Sequence, residues 1–353
     1  MKIFLYTIIV LIFSSILIKM MVEKLGINKK EVTYKKYFII SATIILTFIY
    51  GFRNYNVGID TSAYYLRFEY ASSLNILTVL QGVSKEWGFA VFEHIISKYF
   101  GSFSVLLFLV GGLYTISVGK LINRFSPFPL IAYLLFISLG FFSFGMTAIR
   151  QTIAISIVLL SVNAIADKKL IKFIVLVLIA SSFHVTALIF LPAYLVNILK
   201  INKKTIIGII ITLLFVIGFR EQVRNVGLSL FDREIEEQDI GGYLFYLFLI
   251  VSIILGFIYR TVFIKLGENN KSIIFLLVIA MIIFPITQFH PAVSRLYFYY
   301  SIILVVYIPM MLSSIKDLSS RYLITIAYIA VLSYLLIYKI APAAQLENFT
   351  FIW

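Results

Sequence analysis

Long apolar runs follow one another from end to end of this 353-residue chain, separated by short basic or mixed-charge connections. Hydrophobic residues make up 61% and charged residues 13%, against about 45–50% and about 25% in a soluble domain. A soluble core has no room for that much apolar surface, and a disordered chain would not carry it. A single membrane anchor is excluded too, because the runs cover the whole chain. At about 20 residues per crossing helix, the pattern predicts an all-α polytopic membrane protein, with residues 1–353 as one integral membrane domain. The absence of cysteine removes disulfide frameworks and thiolate metal sites. The first run, Ile3 to Ile18, resembles a signal peptide, but it continues through Lys19 to Lys24 with no small-residue cleavage site. It reads as a retained span.

Spanning helices are expected near residues 3–22, 37–52, 101–119, 129–147, 150–166, 205–219, 243–259, 272–288, 296–312 and 322–338. Residues 87–100 are amphipathic and too short to cross comfortably, so they predict an interfacial or re-entrant helix. Residues 170–199 are apolar for too long to be one span and carry basic clusters at both ends. Cytoplasmic loops accumulate Lys and Arg, and the clusters at Lys24–Lys36, Lys120/Arg124, Lys168–Lys172, Lys200–Lys204, Arg260–Lys271 and Lys316/Arg321 fit one side of the membrane. That assignment requires 170–199 to be a hairpin of two short helices with His184 near its outer tip. About twelve transmembrane helices result, with both termini outside.

The same topology accounts for the net charge of +14 without invoking nucleic acid. It also separates the two cations. Seven of the ten arginines (Arg53, Arg67, Arg150, Arg220, Arg224, Arg233 and Arg295) fall on the outer side, where positive charge is normally sparse. Arginine forks match phosphate and carboxylate oxygens, so the bias points to an outer anionic ligand. Pairing with the outer Asp and Glu residues is the plainer explanation, and both stay open here.

Arg150-Gln151 lies between two apolar runs with no polar loop around it. An arginine there needs a partner, since its desolvation is costly; at a helix start it would add to the helix's own positive end and form a phosphate cradle. Snorkelling to headgroups is the alternative. His184 has the proton affinity for acid–base work or a hydrogen bond to phosphate, though a lone histidine is often structural. Asp60, in the loop Arg53–Tyr70, is a candidate base or a loop-structuring residue. Arg295 opens a Tyr-rich helix and could face a cavity or the headgroups. Arg220 and Arg224, four apart, would share a helix face within a loop that is otherwise a solvated acidic surface. Glu93 and His94 fall on the amphipathic 87–100 segment, where interfacial solvation is the expectation. The chain has no Walker-type loop, no His pair at zinc spacing and no D-x-D pair. The reaction is therefore expected to need neither metal nor cofactor, and a lipid-linked activated donor would suit it.

Five short elements occur in order: Arg53…Val57-Gly58-Ile59-Asp60-Thr61…Tyr64, Glu86-Trp87-Gly88-Phe89, Arg150-Gln151…Ala154, Phe183-His184…Ala187-Leu188, and Arg295 before an aromatic helix. In these the chain resembles the EpsG family, Wzy-type polymerases of bacterial O-antigen, capsule or exopolysaccharide, over about residues 50 to 300. The resemblance implies a GT-C-like, metal-independent, inverting glycosyltransferase at the outer face of the cytoplasmic membrane. Its substrates would be undecaprenyl-diphosphate-linked oligosaccharide repeat units, and its partners a flippase and a chain-length regulator. In that frame Arg150 and Arg295 would bind the donor diphosphate with Arg53 contributing, and Gln151, Arg220 and Arg224 would lie among the substrate-binding residues. His184 would orient or deprotonate the acceptor hydroxyl, with Asp60 as the rival base. A lipid-linked glycan ligase, a polysaccharide acyltransferase and a flippase or transporter are the competing readings. Ligases of this kind carry one very large outer loop, and no internal repeat of the transporter type is evident.

Overall fold

A computed structural model describes residues 2–25, 30–82, 85–200, 202–219, 221–222, 225, 242–259, 271–287, 291–340 and 349–352. Nearly every described segment is helical: α1 (Lys2–Lys24), α2 (Lys30–Gly51), α3 (Thr61–Ser73), α4 (Ile76–Gln81), α5 (Trp87–Phe100), α6 (Phe103–Phe125), α7 (Pro129–Ser138), α8 (Phe141–Thr147), α9 (Ile149–Ala166) and α10 (Leu170–Phe183). A 3-10 helix (Val185–Asn197) follows, then α11 (Lys203–Gly218), α12 (Tyr243–Ile258), α13 (Lys271–Ile283), α14 (Arg295–Ser314) and α15 (Leu318–Tyr338). The outward faces of α1, α10, α11 and α15 expose Phe13, Ile171, Ile211, Leu323 and many similar residues. Water would penalise such surfaces, whereas lipid tails satisfy them. The chain is a polytopic membrane protein.

Six described helices are long and apolar enough to cross a membrane (α1, α2, α6, α9, α14 and α15), and the bent pair α7–α8 makes a seventh. Helix α10, the 3-10 helix, α12 and α13 have only 13 to 16 residues. Length and composition therefore support six or seven of the twelve expected crossings. The expected hairpin at 170–199 is present as α10 packed on the 3-10 helix, with extended His184 between them. Thirteen residues of 3-10 helix rise about 26 Å, against about 20 Å as α-helix. Its buried side chains, Ala187, Phe190, Ala193 and Val196, recur every third residue, as the tighter winding requires.

Helices α9 and α14 form the centre, each with 83% of its apolar window buried, against 22% for α1, α2 and α15. A central helix must be apolar or self-satisfied on every side. Accordingly, Ser156 Oγ in α9 donates to Thr152 O at 2.6 Å, and Thr152 Oγ1 to Ala148 O at 2.9 Å. The segment leading into α9 is broken twice. Gly140, at φ +81°, turns the chain between α7 and α8 through a 51° bend, a left-handed conformation that favours glycine. Ala148 then interrupts the ladder between α8 and α9.

These breaks free buried carbonyls, which neighbouring helices take up. Tyr50 Oη donates to Gly145 O at 2.6 Å and Tyr114 Oη to Phe141 O at 3.0 Å. Arg53 Nη2 and Thr61 Oγ1 both donate to Met146 O, at 2.7 and 3.2 Å. Arg53 is fully buried, its guanidinium 4.0 Å over the Tyr50 ring and its Nη1 on Tyr50 O. Gly58 leaves no room for a side chain, as a Cβ would lie 2.8 Å from Met146 O. The C-terminal residues join the same end of the bundle: Asn54 N donates to Thr350 O and Ile352 N to Phe52 O.

Arg53, expected to touch a donor, instead holds the α8–α9 break. An Arg53→Leu change strands the buried Tyr50 carbonyl, at about 1–3 kcal/mol, and leaves Met146 O with Thr61 as its remaining donor. We expect it to lower the thermal unfolding midpoint of the detergent-purified protein.

Candidate functional site

The stretch read from sequence as a loop after Arg53 contains two short helices. Helix α3 starts after Asp60, and α4 is capped by Asn75, whose Oδ1 accepts from Thr78 N at 2.8 Å. Asp60, Ala63, Tyr64 and Arg67, spaced three and four apart, share one face of α3. They line a cavity of about 390 Å³ whose other walls are Ala148, Arg150 and Gln151 from the start of α9, His184, and Arg295 from the start of α14.

Arg150 is the second residue of α9, where the first backbone N–H groups lack intrahelical partners and the helix end is positive. Its Nε donates to Tyr64 Oη at 3.1 Å and its Nη1 to Glu86 Oε2. Glu86 precedes α5 and also meets His184, Oε1 to Nδ1 at 2.5 Å, with Val185 N at 3.4 Å. Close helix contact makes this reach possible. A Cβ on Gly88 would lie 2.4 Å from Ser182 Oγ and 3.0 Å from the Ser182 carbonyl carbon, so α5 and α10 touch directly beside Glu86 and His184. Across the cavity Arg295 Nη1 donates to Asp60 Oδ2 at 3.2 Å, and Gln151 Nε2 donates to Arg295 O at 2.9 Å.

The structure thus brings Asp60, Arg150, Gln151, His184 and Arg295 to one cavity, leaves Arg53 outside it, and adds Tyr64, Arg67 and Glu86. Arg220 and Arg224 lie outside the described residues. Glu93 and His94 contradict the expectation of interfacial solvation: both are buried. Glu93 Oε2 takes Arg67 Nε at 2.8 Å, and His94 Nδ1 is 3.0 Å from Ala71 O. The polar face of α5 packs against α3 rather than facing water, because α3 supplies partners for it. Two signals could have found the missing residues, namely the helical spacing of 60, 63, 64 and 67, and the two-turn interval between Glu86 and Glu93.

The charges are layered. Arg67, Arg150, Arg295 and His184 face the cavity, while Glu86 and Glu93 sit behind their cations and do not line it. Burial pushes the Glu86 carboxyl up, but the His184 ring, Arg150 and the Val185 N–H together hold it below its ordinary value of 4.5. With Glu86 accepting at Nδ1–H, a neutral His184 presents the Nε2 lone pair. The Glu86 contribution to stability is present above pH 4.5 and is lost as pH falls through its depressed native value. Thermal unfolding across pH should therefore show the widest gap between wild type and Glu86→Gln at neutral pH, closing in acid below 4.5.

No curated protein and no solved structure matches the chain. The EpsG family model does match, over residues 36–352, a span that contains every residue of the cavity. The chain belongs to the EpsG family, membrane proteins of polysaccharide biosynthesis.

Proposed function

We propose that this protein is a surface-polysaccharide polymerase, a GT-C-like glycosyltransferase joining undecaprenyl-diphosphate-linked oligosaccharide repeat units at the outer face of the bacterial cytoplasmic membrane. The observation that carries this reading is the cavity wall itself, in which arginines and a histidine face inward while most of their counter-charges stand behind. Breaking a sugar–diphosphate bond develops negative charge on the leaving oxygen. Preorganised cations in a water-poor pocket stabilise that charge more in the transition state than in the ground state. Arg124, in the last turn of α6, pairs with Asp167 just past the end of α9, opposite the Arg150 turn that lines the cavity; basic residues at that far end support an outward-facing site.

In this mechanism Arg150 and Arg295 hold the donor diphosphate, with Gln151 fixing the Arg295 backbone. The acceptor hydroxyl attacks the anomeric carbon of the donor sugar, the carbon–oxygen bond to the diphosphate breaks, and the electron pair leaves on the diphosphate oxygen. His184 Nε2 takes the hydroxyl proton, and Glu86 stabilises the imidazolium that results. Asp60 is the weaker base because it is engaged with Arg295.

Deleting the gene from its host and resolving surface and lipid-linked glycans on a gel tests the reading. Single repeat units with no longer ladder support it. Full-length polymer stranded on the carrier would make the protein a ligase, units trapped on the inner leaflet a flippase, and a normal ladder lacking an acyl group an acyltransferase. Complementation with Arg150→Ala or His184→Ala at normal expression should restore no ladder. Arg150→Lys should restore little, because an ammonium engaged with Tyr64 and Glu86 keeps one N–H at most and no planar fork for two-point contact with phosphate.

A further inference from the structure

Three arginines reach the cavity from three helices, and each is held by its own carboxylate: Arg150 by Glu86, Arg295 by Asp60 and Arg67 by Glu93. The first two pairs belong to the mechanism above, whereas the third has no part in it and no counterpart among the motif residues. Arg67 spends only its Nε on Glu93, at 2.8 Å, and its guanidinium lies 5.2 Å over the Phe89 ring. Among the described residues neither Nη has a hydrogen-bond partner, and Arg67 lines the cavity. The fork is held at its root with both tips free, as suits two-point contact with a phosphate or carboxylate group.

Glu93 is an expensive residue to keep for packing alone. Its side chain is 2% exposed, and its Oε1 has no hydrogen-bond partner among the described residues. Burial pushes its carboxyl up to about 7, against the pull of Arg67 from α3 and Arg150 from α9. A buried carboxylate carrying an unsatisfied oxygen costs stability, and what the structure gains is a fixed Arg67. A 390 Å³ volume corresponds to a sphere about 9 Å across, so the forks of Arg67, Arg150 and Arg295 can engage one ligand together.

We propose that Arg67 is a further oxyanion-binding residue of the cavity, on the wall formed by α3, and that Glu93 is its positioning residue. This rests on the polymerase reading only for the identity of the natural ligand. The oxyanion is either a phosphate of the lipid-linked donor or a sugar carboxylate of the repeat unit, and two small probes separate them.

Inorganic pyrophosphate and glucuronate are titrated calorimetrically into the full-length protein purified in detergent, as wild type, Arg67→Gln, Glu93→Leu and Glu93→Gln. Arg67→Gln and Glu93→Leu should weaken binding of one probe roughly tenfold or more. Glu93→Gln keeps an acceptor for Arg67 Nε and should stay within about threefold of wild type, a rescue that a loss of packing would not show. Weakened pyrophosphate binding supports the proposal with phosphate as the oxyanion, and weakened glucuronate binding supports it with a sugar acid. If Arg67→Gln binds both probes as wild type does, if Glu93→Gln is as weak as Glu93→Leu, or if wild type binds neither, the proposal is overturned. The readout is binding of small anions to purified protein, so it stands whether or not gene deletion changes the polymer ladder.

Discussion

The interruption of the chain between Ser138 and Ile149 is the constraint on which the rest of the structure depends. Where a membrane helix breaks, its carbonyls must find donors, since lipid offers none. Here the donors come from elsewhere in the chain: Tyr50 and Arg53 at the end of α2, Thr61 at the start of α3, and Tyr114 in α6. Satisfying Phe141, Gly145 and Met146 thus ties α2, α3 and α6 to one point. It also seats the first turn of α9 so that Arg150 reaches Tyr64 of α3. The break costs backbone hydrogen bonds, and in exchange a helix start carrying an arginine faces a cavity from within a membrane domain.

Charge layering is the second organising feature. An isolated arginine at membrane depth would be costly, and a fully neutralised one would have little left for a ligand. Glu86, just before α5, and Glu93 within it resolve the conflict as anchors behind Arg150 and Arg67. Each carboxylate takes one edge of its guanidinium and leaves other N–H groups facing the cavity. Glu86 also fixes the ring of His184, so one acid orients both the cation and the imidazole of the proposed chemistry.

Much of this was legible in the sequence, and the failures have physical causes. Apolar runs specify spans because the bilayer is a uniform solvent, and helices fell where such runs predicted them. The hairpin about His184 followed from basic residues at both its ends. The 3-10 winding of its second arm was not legible, because Val185–Asn197 is apolar at nearly every position and only burial picks out Ala187, Phe190, Ala193 and Val196. For Arg53 the sequence context, beside Asp60 and Tyr64, cannot distinguish a ligand-facing arginine from one buried on carbonyls, as it is here. The burial of Glu93 and His94 is invisible to amphipathicity, which reports only that a polar face exists. Whether that face meets water or another helix depends on where α3 folds back.

Residue order alone is enough for the class of molecule and the places of its long apolar helices, since these depend on local hydropathy. Tertiary structure alone decided which arginine meets which carboxylate, which cations face the cavity and which of them caps a broken helix. Those pairings join residues as far apart as Asp60 and Arg295. No local pattern encodes them, because burial and charge compensation are properties of the assembled bundle rather than of any one segment.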